Sequence, residues 1–161
     1  MKTILVGIAP ARKGEEGQPL SALASQSTGR KIADLLGIAP VEYMKSFDRV
    51  NVCPFPRPST IKPTEWTAAA ENLAGSLLRG RRVILLGPNV AACFGITRLN
   101  FDFLSWREAQ PSRVTNCLGY VAGRSAPFSW AVLPHPSGRN RWYNDEKNRR
   151  AAREFLQFEI K

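Results

Sequence analysis

The sequence predicts an α/β protein, a three-layer α/β/α sandwich with a central four-stranded, mainly parallel sheet. Three observations carry that expectation. Four short β-rich apolar runs each end in turn residues, and helical periodicity fills the stretches between them. The runs are also too continuously apolar for one face to be wet, as Val83-Ile84-Leu85-Leu86 shows. Strands of that kind are buried on both faces and belong to parallel sheets covered by helices.

In chain order, the first strand is Thr3–Ile8, broken by Pro10. Thr28–Leu36 places Ile32, Leu35 and Leu36 on one helical face and stops at Gly37. The second strand, Asp48–Cys53, runs into Pro54-Phe55-Pro56-Arg57-Pro58, a loop because proline cannot sit in a central strand. A helix over Pro63–Arg79 opens on proline, carries Trp66, Ala70, Leu73 and Leu77, and ends at Gly80. Arg82–Leu86 is the third strand, and a short helix, Asn89–Phe94, follows Gly87-Pro88. Segment 96–128 reads as irregular, with a helix or edge strand within it and Phe101, Phe103, Leu104 and Trp106 in the core. The fourth strand is Ser129–Leu133. In the last helix Asn144 is the expected N-cap, with Asp145 and Glu146 at the positive end of the dipole. Its buried stripe is Ala151, Phe155 and Phe158 with Ala152 and Leu156.

The 161 residues suffice for one hydrophobic core, so a single domain spanning 1–161 is expected, working as a monomer. Lys and Arg number 23 against 13 Asp and Glu, a formal charge of +10. A field of that sign concentrates polyanions, which puts nucleic acid first among partners, ahead of a merely solubilising surface charge. No segment joins a basic face to a long apolar face, and none approaches the roughly 20 apolar residues of a membrane span, so no membrane partner is expected. The opening apolar run is too short for a signal peptide. Cys53, Cys93 and Cys117 are too few and too scattered for a metal finger or a disulfide framework; a reducing cytoplasm suits them.

A parallel sheet opens the loops after its strands at one edge, where sites form. Gly7-Ile8-Ala9-Pro10-Ala11, Asn51-Val52-Cys53-Pro54-Phe55-Pro56 and His135-Pro136-Ser137 then face one another. Singly these are a tight turn, a strand-end asparagine and a loop histidine, the only one in the chain. In order along the chain, with Lys62-Pro63-Thr64 and Val83-Ile84-Leu85-Leu86-Gly87 between them, they resemble the motifs of the uracil-DNA glycosylase superfamily, nearest to its family 4 and family 5 branches. The resemblance covers most of the chain apart from 96–128. It implies that family's fold and a monofunctional DNA glycosylase that excises uracil or a related altered base from single- or double-stranded DNA. The N-terminal Cys-x-x-Cys of those branches is missing, so no iron–sulfur cluster, and no other cofactor or metal, is expected.

The resemblance assigns roles. His135 donates to the uracil 2-carbonyl as negative charge grows there, its direction set by Pro134 and Pro136. Asn51 reads the N3–H and O4 edge or, in the plainer reading, caps the strand. The backbone amides of Ile8 and Ala9 polarise the base carbonyl or hold the water. Gly7, Pro10, Phe55 and Ser137 line the substrate site. Phe55 substitutes for an aromatic that the family places before the second helix, where this chain has Leu23-Ala24-Ser25-Gln26-Ser27. Arg12, Lys13, Gly138, Arg139, Asn140 and Arg141 contact DNA, with Arg139 as the wedge; Lys147, Arg149 and Arg150 track the backbone. Trp142 and Tyr143 either stack on a base or pack beneath the loop. The first motif has no carboxylate, and Glu15 and Glu16 are the nearest in sequence. Two alternatives stay open: the same fold acting on another modified base, and a catalytically silent DNA-binding module.

Overall fold

The computed structural model describes residues 1–10, 18–55, 63–108, 128–137 and 140–160. Its sheet has five strands: β1 Ile4–Gly7, β2 Asp48–Asn51, β3 Arg82–Leu86, β4 Arg107–Glu108 and β5 Ser129–Leu133, in the order β2-β1-β3-β5-β4. The first three and β5 are parallel, as expected; β4 adds an antiparallel edge of two residues beside β5. That fifth strand lies in segment 96–128, where irregular structure with a helix or edge strand was expected, and it raises the strand count from four to five. It is too short to leave an alternating pattern.

Alternate residues of each central strand feed opposite layers. Ile4, Val6, Val83, Leu85, Trp130 and Val132 face one way, against α3 (Thr67–Ser76) and α4 (Pro88–Cys93). Leu5, Ile84, Leu86 and Leu133 face the other, against α1 (Thr28–Leu36), α2 (Pro40–Ser46) and α5 (Glu146–Glu159). The result is the three-layer sandwich.

Several boundaries differ from expectation. The Pro63–Arg79 helix divides into a 3-10 turn, Pro63–Trp66, and α3; Ala70, Ala74 and Leu78 are buried while Leu77 is exposed. The helix α2 was not anticipated, although Pro40 at its start, Glu42 in its first turn and Lys45 in its last are ordinary helix signals. A 3-10 turn over Arg141–Asn144 absorbs Asn144, so the cap of α5 is Asp145, whose side chain accepts from the Lys147 amide at 2.8 Å. Ala152 and Leu156 are buried on α5, but Phe158 is 69% exposed, because two residues beyond Leu156 is about 200° round the helix and faces away from the layer. Phe101 is buried, whereas Phe103, Leu104 and Trp106 are only partly covered.

Candidate functional site

The register places Asn51, Gly7, Leu86 and Leu133 at the carboxyl ends of four parallel strands. With neighbouring strands about 4.8 Å apart, the exits of β2 and β5 stand roughly 14 Å apart along this rim. The chain leaves β1 toward β2 on one side and β3 toward β5 on the other, so the middle of the rim is a topological switch point.

The β5 end is tightly built. His135 follows Leu133-Pro134, and its carbonyl accepts from the Ser137 amide at 2.8 Å and from Asn140 Nδ2 at 2.9 Å. The Tyr143 hydroxyl donates to the Pro134 carbonyl at 2.7 Å, and the Gly87 amide donates to Leu133 at 2.8 Å. Gly87 also clears space: at φ 99° it follows β3, and a Cβ there would stand 2.9 Å from His135 Cβ. The imidazole is therefore carried on a backbone fixed from three sides. Burial first, and the nearby Lys31 ammonium second, hold its pKa below the usual value, so the ring is neutral near pH 7 and offers one N–H donor.

The β2 end is built differently. Asn51 is 8% exposed, and its Oδ1 has no hydrogen-bond partner among the described residues. This oxygen lies over Gly7, where a Cβ would approach it to 2.5 Å and Leu20 Cδ2 to 2.8 Å. The amides of Val52 and Cys53 continue the strand pairing, donating to Gly7 and Ile8 carbonyls at 3.0 and 2.7 Å. A buried acceptor left unmatched costs about 1–3 kcal/mol and points to a ligand that supplies the donor.

Leu20 is the neighbour that the sequence did not reveal. It holds a positive φ of 53°, its carbonyl accepts from the Tyr43 hydroxyl at 3.1 Å, and Gly29 lets α1 pack against that carbonyl. A leucine at positive φ has no sequence signature. Leu23, in the stretch where a stacking residue was sought, is 63% exposed.

The remaining expected residues sort as follows. Ile8 and Ala9 are partly buried and Pro10 is buried on the β1 exit, while Phe55 is 67% exposed beyond β2. Ser137 is partly buried beside His135. Asn140 uses both ends of its amide inside the loop, donating to His135 and accepting from the Trp142 amide at 3.1 Å. Arg141 is exposed. Trp142 packs edge-on against Phe103 and Tyr143, so these aromatics support the loop from below. Arg12, Lys13, Glu15, Glu16, Gly138, Arg139 and Cys117 lie outside the described residues.

A family model described as the uracil DNA glycosylase superfamily matches residues 1–158. The chain belongs to that superfamily. No curated protein matches the chain. Membership of the uracil-DNA glycosylase superfamily points to an enzyme of the DNA glycosylase type that acts on DNA. Among the described residues no helix is long and apolar enough to cross a membrane. No group of three or more His, Cys, Asp or Glu that could hold a metal ion occurs among them either.

Proposed function

We propose that the protein is a monofunctional, single-domain DNA glycosylase that hydrolyses the N-glycosidic bond of uracil, or a closely related base, flipped out of DNA. The observation that supports this reading best is the buried, unpartnered Oδ1 of Asn51. A pyrimidine ring lying across the rim donates its N3–H to that oxygen, and the Asn51 amide nitrogen donates to O4. Leu20 and Gly7 form the wall and floor at that end.

At the other end His135 donates to O2. As the C1′–N1 bond breaks, positive charge spreads over the sugar and negative charge over the base; the neutral imidazole N–H stabilises the latter. The water oxygen bonds to C1′, and the proton it sheds reaches the departing base through solvent. The Ile8 and Ala9 amides hold the water or the base carbonyl. Ser137 and the Gly138 amide take a flanking phosphate; Arg139 fills the gap left by the base, and Arg12, Lys13 and Arg141 meet the backbone. Asn140 acts on His135 from within the loop. Phe55 is exposed enough to close over the base from the β2 side.

Oligonucleotides carrying uracil, hypoxanthine, xanthine or hydroxymethyluracil, single- and double-stranded, test the reading after alkali cleavage of abasic sites. Breaks at uracil that vanish in His135→Ala are expected. A second reading, the same hydrolysis on a different modified base, rests on Leu20, whose aliphatic surface gives a base no aromatic stacking partner; breaks confined to another base favour it. Salt-sensitive binding with no breaks at any base rejects both.

A further inference from the structure

Beside the His-Pro-Ser loop lies a cleft of about 310 Å³ between α1 and α5. Lys31 lines it from α1, Arg149 and Arg153 from α5, and Ser137 and Tyr143 from the loop and turn that carry His135. Asp34, the one carboxylate among its described lining residues, is turned to Arg30 Nε at 2.9 Å. We propose that this cleft is a phosphate subsite that holds a backbone phosphate of the strand next to the nucleotide lying against His135.

Three features point that way. The cations converge although they come from helices distant in sequence, and among the described residues no acid lining the cleft pairs with them. Lys31 has no ion-pair partner among the described residues, and Arg149 meets only the exposed Glu146 at the helix start. Arg153 is held in place by donating from Nε to the Leu35 carbonyl at 2.8 Å, which leaves the terminal nitrogens of its guanidinium, itself part of the cleft lining, without a protein partner among the described residues. The cleft is also continuous with the reaction centre. Ser137 is common to both, and Lys31 is close enough to depress the His135 pKa. An anion beside Lys31 therefore sits one step along the chain of contacts from the base pocket.

The structure further divides the basic residues of α5, which sequence alone treats as one set. Arg149 and Arg153, four residues apart, share the cleft face. Arg150 lies about 100° round the helix and pairs with Glu154 at 2.8 Å, away from it. Arg150 is thus turned away from the cleft, while Arg149, although it also meets Glu146 on its own helix, and Arg153 line it.

This assignment rests on the proposed DNA-acting function but not on its chemistry, and the test is arranged to separate the two. The probe is a fluorescein-labelled single-stranded 12-mer without altered bases, its binding measured by anisotropy from low to high salt. Lys31→Gln/Arg149→Gln removes two cleft cations and spares Arg153, which braces α1. Lys45→Gln/Arg79→Gln removes two exposed cations before β2 and β3, at the opposite rim. Equal melting temperatures show that both remain folded.

The cleft variant is expected to bind about tenfold more weakly at 0.1 M salt, with a log–log salt slope shallower by about 0.7 for one lost phosphate contact. The opposite-rim variant should change affinity less than about twofold, since those charges lie beyond a Debye length of about 10 Å. Cleft and opposite-rim variants that behave alike would overturn the subsite. Competition by thymidine 5′-monophosphate at micromolar concentration would also overturn it, in favour of a free nucleotide. Base release from a uracil oligonucleotide by the wild-type protein, assayed separately, decides the glycosylase reading whatever the cleft does.

Discussion

The two ends of the rim solve opposite problems. At the β5 end the carbonyls on either side of the functional side chain are tied down: His135 and Pro134 carbonyls accept bonds from Ser137, Asn140 and Tyr143, and Gly87 lets the neighbouring strand exit close against His135 Cβ. At the β2 end the functional side chain is itself incomplete, with the Asn51 oxygen buried and unmatched. One end is finished in the free protein, and on the proposed function the other is finished by the base. Catalytic stabilisation gains from fixed donors that need no reorganisation. Recognition gains from a polar group that penalises every ligand lacking the matching donor.

Substitutions that break the comparison should therefore separate rate from stability. The largest effect is expected for His135→Ala, about 10²–10³ slower base release, measured in single turnover, with little change in binding of undamaged DNA. Asn51→Leu comes next. It should slow base release about ten- to a hundredfold, yet the melting temperature should hold or rise, because an unmatched polar group gives way to an apolar one of similar shape. A fall in melting temperature there would show that Asn51 Oδ1 is satisfied in the free protein.

Gly7→Ala attacks the same end from beneath, since the new Cβ meets Asn51 Oδ1 and Leu20. It should cost about 1–3 kcal/mol of stability by chemical denaturation and slow base release together. Asn140→Ala removes the bond to the His135 carbonyl and the cap on Trp142; about 1 kcal/mol of stability and a few-fold in rate are expected.

The smallest effect is a pH dependence of stability. His135 is depressed below its usual value of 6.5, so the native state resists protonation. Its contribution is complete above pH 6.5 and is lost as pH falls toward the lower native value. Denaturant midpoints should decline below pH 6.5 in the wild type and decline less in His135→Gln.

The four parallel strands and their shared rim were legible because unbroken runs such as Val83–Leu86 admit few other placements, and β3 and β5 fall at the expected bounds. The positions of His135 and Asn51 followed from the strand ends. What was not legible depended on local competition or on distant neighbours. Asn144 and Asp145 are both good caps, and only the preceding 3-10 turn selects the second. Phe158 has helical spacing with Phe155, but only the docking of Leu156 and Glu159 on the sheet shows that its side of the helix faces out. Leu20 owes its place to Tyr43 and Gly29, neither of which marks it in the sequence. Lys31 reads as an ordinary helix-surface lysine until α5 is laid beside it.

The strand order also sets how each end can move. The strand β5 is held on both sides, by β3 and by the short β4, while β2 is an edge with only β1 beside it. An edge strand can detach locally without opening the sheet, so amide exchange should be faster along β2 than along β5. On the proposed function, the imidazole that assists the reaction follows a strand paired on both sides, and the asparagine that reads the base ends an edge strand that can breathe. Capture of a base at Asn51 would damp that motion, and slowed exchange at Val50 and Asn51 on adding substrate would record it.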